Sequence, residues 1–185
     1  EAGGGGAVSS DYTDGTSTVP TLSARAGTAL CAGRIGGPGT TRVSGPATPL
    51  GDVTIDSDGF GAGVTELPAL GSGTAQSGSS GATLVTGRTS DIQAFFIGHW
   101  VRITAADGTV RGTWRIGSIP ATRTITLAPN GAETISIAVG DRWQGIYRFD
   151  DLKVADAVTL ISVDPIETAS QTISAPMTTS AITTS

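Results

Sequence analysis

From Trp100 to Phe149 apolar and polar residues alternate, and the alternation is broken at Asp107-Gly108 and at Asn130-Gly131. A period of two places successive side chains on opposite faces of a strand, and both dipeptides tolerate the positive φ of a tight turn. This predicts strands over Trp100–Ala105, Thr109–Ile119, Thr122–Ala128, Glu133–Val139 and Arg142–Phe149, the last leading into Leu152–Val154, with Val158–Val163 to follow. Two hairpins in succession result, one about each dipeptide. Short antiparallel strands at about ten-residue spacing predict a small antiparallel β-barrel or sandwich. Before them, Ser90 is placed to cap a short helical turn over Asp91–Phe96 that Gly98 ends.

The rest of the chain carries less side-chain volume. Residues 1–50 open on Gly3 to Gly6 and continue through Gly/Ser/Thr/Pro-rich text that cannot bury enough apolar surface to offset its own ordering entropy. They read as an arm or linker, or as strands that order only against a neighbour. Residues 51–86 hold short strands at Gly51–Asp58 and Ala82–Thr86 around a surface loop, Gly71–Gly81. Residues 87–163 form the compact barrel or sandwich region, and 164–185 an extended C-terminal segment. Gly51–Asp56 and Ala155–Leu160 share a rhythm, as two rungs of a solenoid on either side of an inserted barrel would. The fold class expected is all-β, with flanking solenoid-like strands and a Gly-rich N-terminal arm.

A net charge of −5, with Lys153 the only lysine, opposes nucleic-acid binding by counterion release. No apolar run approaches the roughly 20 residues of a membrane-spanning helix. Cys31 stands alone, which excludes an intrachain disulfide and leaves its role open. A start at Glu1 and an end at Ser185 with no stop-like feature lead us to expect a piece of a longer protein.

Tyr147-Arg148-Phe149-Asp150-Asp151-Leu152-Lys153-Val154, with Ala157–Leu160 and Asp164-Pro165-Ile166, resembles rung sequences of large bacterial secreted and cell-surface β-helical proteins. The segment from Gly98 to Trp143 looks like a small barrel inserted in such a chain. The resemblance covers about the second half and implies scaffold, adhesin or filament roles, without catalysis. Gly-Gly-x-Gly-x-Asp repeats are missing, so calcium-dependent folding is not implied.

Candidate chemistry is sparse. His99 is the only histidine and no nucleophile elbow accompanies it, so an edge-of-strand role beside Trp100 is expected. Asp52, Asp56 and Asp58 suggest a cation loop, but the calcium-loop register puts Thr65 where the bidentate Glu belongs. A polar turn ending a strand is the competing reading. Glu66, Glu133 and Glu167 lack a spacing that would pair carboxylates across a cleft. We expect no cofactor.

Trp143, Tyr147 and Phe149 share one strand face, which favours burial, whereas Trp100 shares its face with Arg102. Trp100, Arg102, Arg111 and Arg115 therefore form the candidate interaction surface, either a solvated face that blunts sheet edges or a docking site for acidic partners. The leading expectation is a non-catalytic structural subunit of an extracellular or cell-surface assembly, a homo-oligomer or polymer built by β-strand addition. A glycan or cell-surface partner is compatible with it. The alternatives are a phage virion or tail component and a carbohydrate-binding module.

Overall fold

The computed structural model describes residues 6–16, 21–24, 38–57, 59, 63–156, 158–173, 177–179 and 182–184; Cys31 and Asp58 lie outside them. The chain is all-β, as the alternation predicts, with fourteen strands among the described residues and one 3-10 turn. It divides into two units, the first made of Glu1–Pro68 and Arg148–Ser185, the second of Ala69–Tyr147. The first holds β1 (Ala7–Asp11), β2 (Gly39–Gly45), β3 (Thr48–Asp56) and β4 (Gly63–Leu67). The second holds β5 (Ser72–Thr74), β6 (Thr83–Val85), β7 (Trp100–Thr104), β8 (Val110–Ala121) and β9 (Thr124–Ala128). Strand β10 (Arg142–Val154) begins in the second unit and ends in the first, which continues with β11 (Val158–Ser162), β12 (Ile166–Ile173), β13 (Met177–Thr179) and β14 (Ile182–Thr184).

In the first unit parallel pairing predominates. β3 runs parallel to the end of β10, with Val53 beside Leu152 and Ile55 beside Val154. β11 lies between two parallel neighbours, β4 and β13. Val53, Ile55, Leu152, Val154, Val158, Leu160 and Ile166 are all buried, so equivalent positions of successive strands form aliphatic ladders. The shared rhythm therefore had the wrong partners. Asp52–Ile55 matches Asp151–Val154, and the mate of Val158–Ser162 is Gly63–Leu67, a strand that its glycine and its exposed Val64 and Glu66 conceal. At the N-terminal side, β1 pairs parallel with β2, and β2 returns antiparallel to β3 across the two-residue turn Pro46-Ala47.

The second unit has the strand order β5-β10-β7-β8-β9-β6, antiparallel at every step. Just past β5, the Gln76 N–H donates to the Val85 carbonyl at 2.9 Å, which brings the last strand back to the first. Inside lie Leu70, Leu84, Ile92, Phe96, Val101, Ile103, Trp114, Ile116, Ile125, Leu127 and Trp143. Leu70, Ala75 and Leu84 belong to this core, which is why the unit begins near residue 69.

Three local expectations are corrected. The Asp107-Gly108 hairpin forms, with Gly108 at φ +92 and the Asp107 carboxylate accepting from the Thr109 N–H at 2.9 Å. The second hairpin instead turns at Thr122-Arg123, between β8 and β9. After Asn130-Gly131 the chain keeps its alternation, burying Ile135 and Ile137, but its only strand-type contact is an isolated bridge from Ile137 to Gly81. The Gly71–Gly81 segment is not all loop, because β5 adds a strand beside β10. A Cβ on Gly73 would sit 3.0 Å from the Trp143 ring, so glycine is there for close packing. The helical turn shrinks to Ala94–Phe96 and is capped at Gln93 without a side-chain bond, because the Ile92 N–H is already taken by the Thr122 carbonyl at 2.7 Å.

Candidate functional site

The outer face of β7 and its neighbours gathers most of the surface expected from the sequence. Val101 and Ile103 are fully buried, which turns Trp100, Arg102 and Thr104 outward. Across the ladder, Arg115 of β8 lies opposite Trp100, and its guanidinium carbon sits 4.7 Å from the centre of the indole ring, a cation-π contact. On the other side, Gln144 of β10 faces Arg102, and Arg142 faces both Thr104 of β7 and Thr74 of β5. Over the outward side of these strands lies an open groove of about 400 Å³ with Trp143 and Gly73 at its base. Its walls are Ser72, Thr74, Arg102, Thr104, Arg142 and Gln144, all polar.

Arg111 does not share this role. A bulge in β8 opposite Ile103 and Thr104 takes it out of the alternation, and its guanidinium clasps the buried Asp141 carboxylate through Nε at 2.8 Å and a second nitrogen at 3.2 Å. The Asp141 carboxylate also accepts from the Ala138 N–H at 2.8 Å, so Asp141 fixes the irregular segment before β10. Glu133 is structural in the same way: its Oε1 accepts from the Trp114 indole N–H at 2.6 Å and from the Asn130 N–H at 2.7 Å. That carboxylate explains why Asn130-Gly131 turns without making a hairpin. His99 packs edge-on against Tyr147, with ring centres 4.6 Å apart, and against Phe96. Glu133 and Asp141 left no motif in the sequence; an isolated carboxylate beside Asn-Gly or before an arginine is too common a pattern to single out.

The aspartates of the first unit do not converge. Asp52 and Asp56 both sit on the outward face of β3, four residues apart and hence roughly 13 Å along the strand. Among the described residues no group of three His, Cys, Asp or Glu side chains is placed to hold a metal ion. Asp150 accepts from the Leu50 and Gly51 N–H groups at 2.7 and 2.9 Å, and Asp156 accepts from the Gly59 N–H at 2.8 Å, so two carboxylates that the sequence did not single out tie together segments far apart in the chain. Asp156 holds φ at +57, and the Gly59 bond, with help from the Asp56 and Ser57 side chains, keeps its carboxyl below the ordinary aspartate value. Glu167 pairs with Arg148 at 3.3 Å.

Asp52 is the exception. It lies beside Asp151 in the parallel ladder, and burial first, then the charges of Asp150 and Asp151, raise its carboxyl above the ordinary 3.8. A raised folded-state value means that the folded state holds the proton more tightly than the unfolded chain. Its stabilising share is therefore complete below the ordinary value and lost as pH rises through the raised one. Asp52→Asn keeps an oxygen for the Asp151 N–H and removes the charge. Thermal unfolding should then show no change near pH 3 and a gain of about 1–3 °C at pH 7, small because the group is mostly solvated. An equal gain at both pH values would refute the electrostatic account.

Comparison with protein-family models, curated proteins and solved structures found no match.

Proposed function

We propose that this chain is a structural subunit of an extracellular or cell-surface assembly, joined to its neighbours by strand pairing between copies. The observation that carries the proposal is β1: among the described residues it ends the strand order, pairs with β2, and exposes four of its five residues, Val8 among them. A short exposed edge strand on a parallel stack is a template for another strand, because its outer N–H and C=O groups have the spacing that a further strand needs. The first unit supplies the scaffold, and its coils are interrupted in sequence by the second. Of the groups considered for chemistry, Glu133 and Glu167 are held in hydrogen bonds or an ion pair and His99 packs against Tyr147 and Phe96, which agrees with a structural role. The extracellular setting rests on the resemblance to secreted β-helical rungs.

Light scattering across a concentration series, with negative-stain images of the same samples, tests the proposal. Mass should grow with concentration into ordered particles, and Val8→Lys, which places a charge on the edge, should abolish the growth. A chain that stays monomeric at every concentration would refute assembly. Undiminished growth of the Val8→Lys chain would refute β1 as its route.

A further inference from the structure

The second unit is electrically unlike the chain that contains it. The whole chain has a net charge of −5, yet β5 to β9 and the β10 residues of this unit include Arg102, Arg111, Arg115 and Arg142 and no Asp or Glu. Arg111 is neutralised by the buried Asp141. The other three lie on the outer face described above, two of them in the walls of the groove and the third over the Trp100 ring.

From this placement we infer that the groove over β5, β10 and β7 binds an acidic saccharide, one whose sugar rings bear carboxylate or sulfate groups. Arg102 and Arg142 are diagonal neighbours in the β7–β10 ladder, about 7–8 Å apart at the backbone. Two guanidinium forks at that spacing can converge on one anionic group from either side, and each can make the paired N–H bonds that planar carboxylates and sulfates accept. The rest of the lining suits a hydroxylated ring: the Gln144 amide and the Ser72, Thr74 and Thr104 hydroxyls both donate and accept. Trp100, two residue pairs further along the ladder and on the same strand face as Arg102, adds an aromatic surface of the kind that sugar C–H faces pack against.

An acidic peptide fits less well. A peptide that docks in extended form by strand addition needs an unpaired strand edge, and β10 at the base of this groove is paired on both sides, with β5 and β7. A volume of about 400 Å³ admits one or two sugar rings.

Isothermal titration of the full chain tests the inference, with hexagalacturonate and a heparin-derived hexasaccharide as probes, maltohexaose as the neutral control and a hexa-aspartate peptide as the acidic non-sugar. At least one acidic hexasaccharide should bind while maltohexaose and hexa-aspartate do not, and the stronger of the two tells uronate from sulfate ester. Arg102→Gln and Arg142→Gln, both surface changes that keep a hydrogen-bonding side chain, should each weaken binding about tenfold. Lack of binding by both hexasaccharides, equal binding by hexa-aspartate, or full affinity in the Arg102→Gln/Arg142→Gln chain would overturn it. The same titration on the Val8→Lys chain separates this site from assembly, since it changes only the edge strand of the other unit.

Discussion

Alanine in place of Trp143 should cost the second unit about 3–5 kcal/mol, the largest effect of any single truncation we expect. The side chain is 2 % exposed, and its indole N–H donates to the Thr86 carbonyl at 3.1 Å in a buried bond. Removing the ring opens a cavity beneath β5 and leaves that carbonyl without its donor, against a total stability for a domain of about 5–15 kcal/mol. Denaturant titration followed by far-ultraviolet circular dichroism would measure it. The Gly73 contact gives a sharper form of the prediction. Gly73→Ala should destabilise the native chain, and should cost markedly less in the Trp143→Phe background, where the atoms nearest the new methyl are gone. Strict additivity of the two changes would refute the close-packing account of that glycine.

Asp141→Ala should cost about 2–4 kcal/mol. Its carboxylate is buried and joins the Arg111 guanidinium to the Ala138 N–H, so the truncation removes both contacts at once, whereas Arg111→Ala leaves the Ala138 bond in place. The larger loss is therefore expected at Asp141. Chemical denaturation of both variants gives the comparison, and an Asp141→Ala chain no less stable than Arg111→Ala would show that the ion pair, and not the backbone clasp, carries the stability.

How far these features can be read from the sequence depends on whether the determining contact is local. β7, the Asp107-Gly108 turn and β8 follow from alternation and a turn dipeptide, and all lie within twenty-odd residues. β10 is legible in two pieces but not as one 13-residue strand, because Asp150-Asp151 interrupts its apolar pattern. β4 and β5 are hidden for different reasons. β4 is stabilised by a partner far along the chain, and β5 consists of small residues whose fitness for a strand is set by Trp143. Parallel pairing has no local mark at all, since Val53-Thr54-Ile55 and Leu152-Lys153-Val154 have the same apolar-polar-apolar form as any half-buried strand. Of the candidate surface, Trp100, Arg102 and Arg115 follow from strand period. Arg142, Gln144 and Ser72 enter the groove only through register, and Arg111 leaves it through a bulge that no residue type announces.

The bond from the Gly51 N–H to Asp150 joins residues 99 apart. For a bare chain, closing a loop of that length would carry an entropic cost on the order of 4 kcal/mol before any rung of the stack could form. The Gly145 N–H, however, donates to the Gly71 carbonyl at 2.8 Å, so the second unit, once folded, holds its own two ends side by side. The distant halves of the first unit are then tethered as if by a short turn. The insert thus shortens the loop that the first unit has to close, and the entropic cost of that closure falls with it.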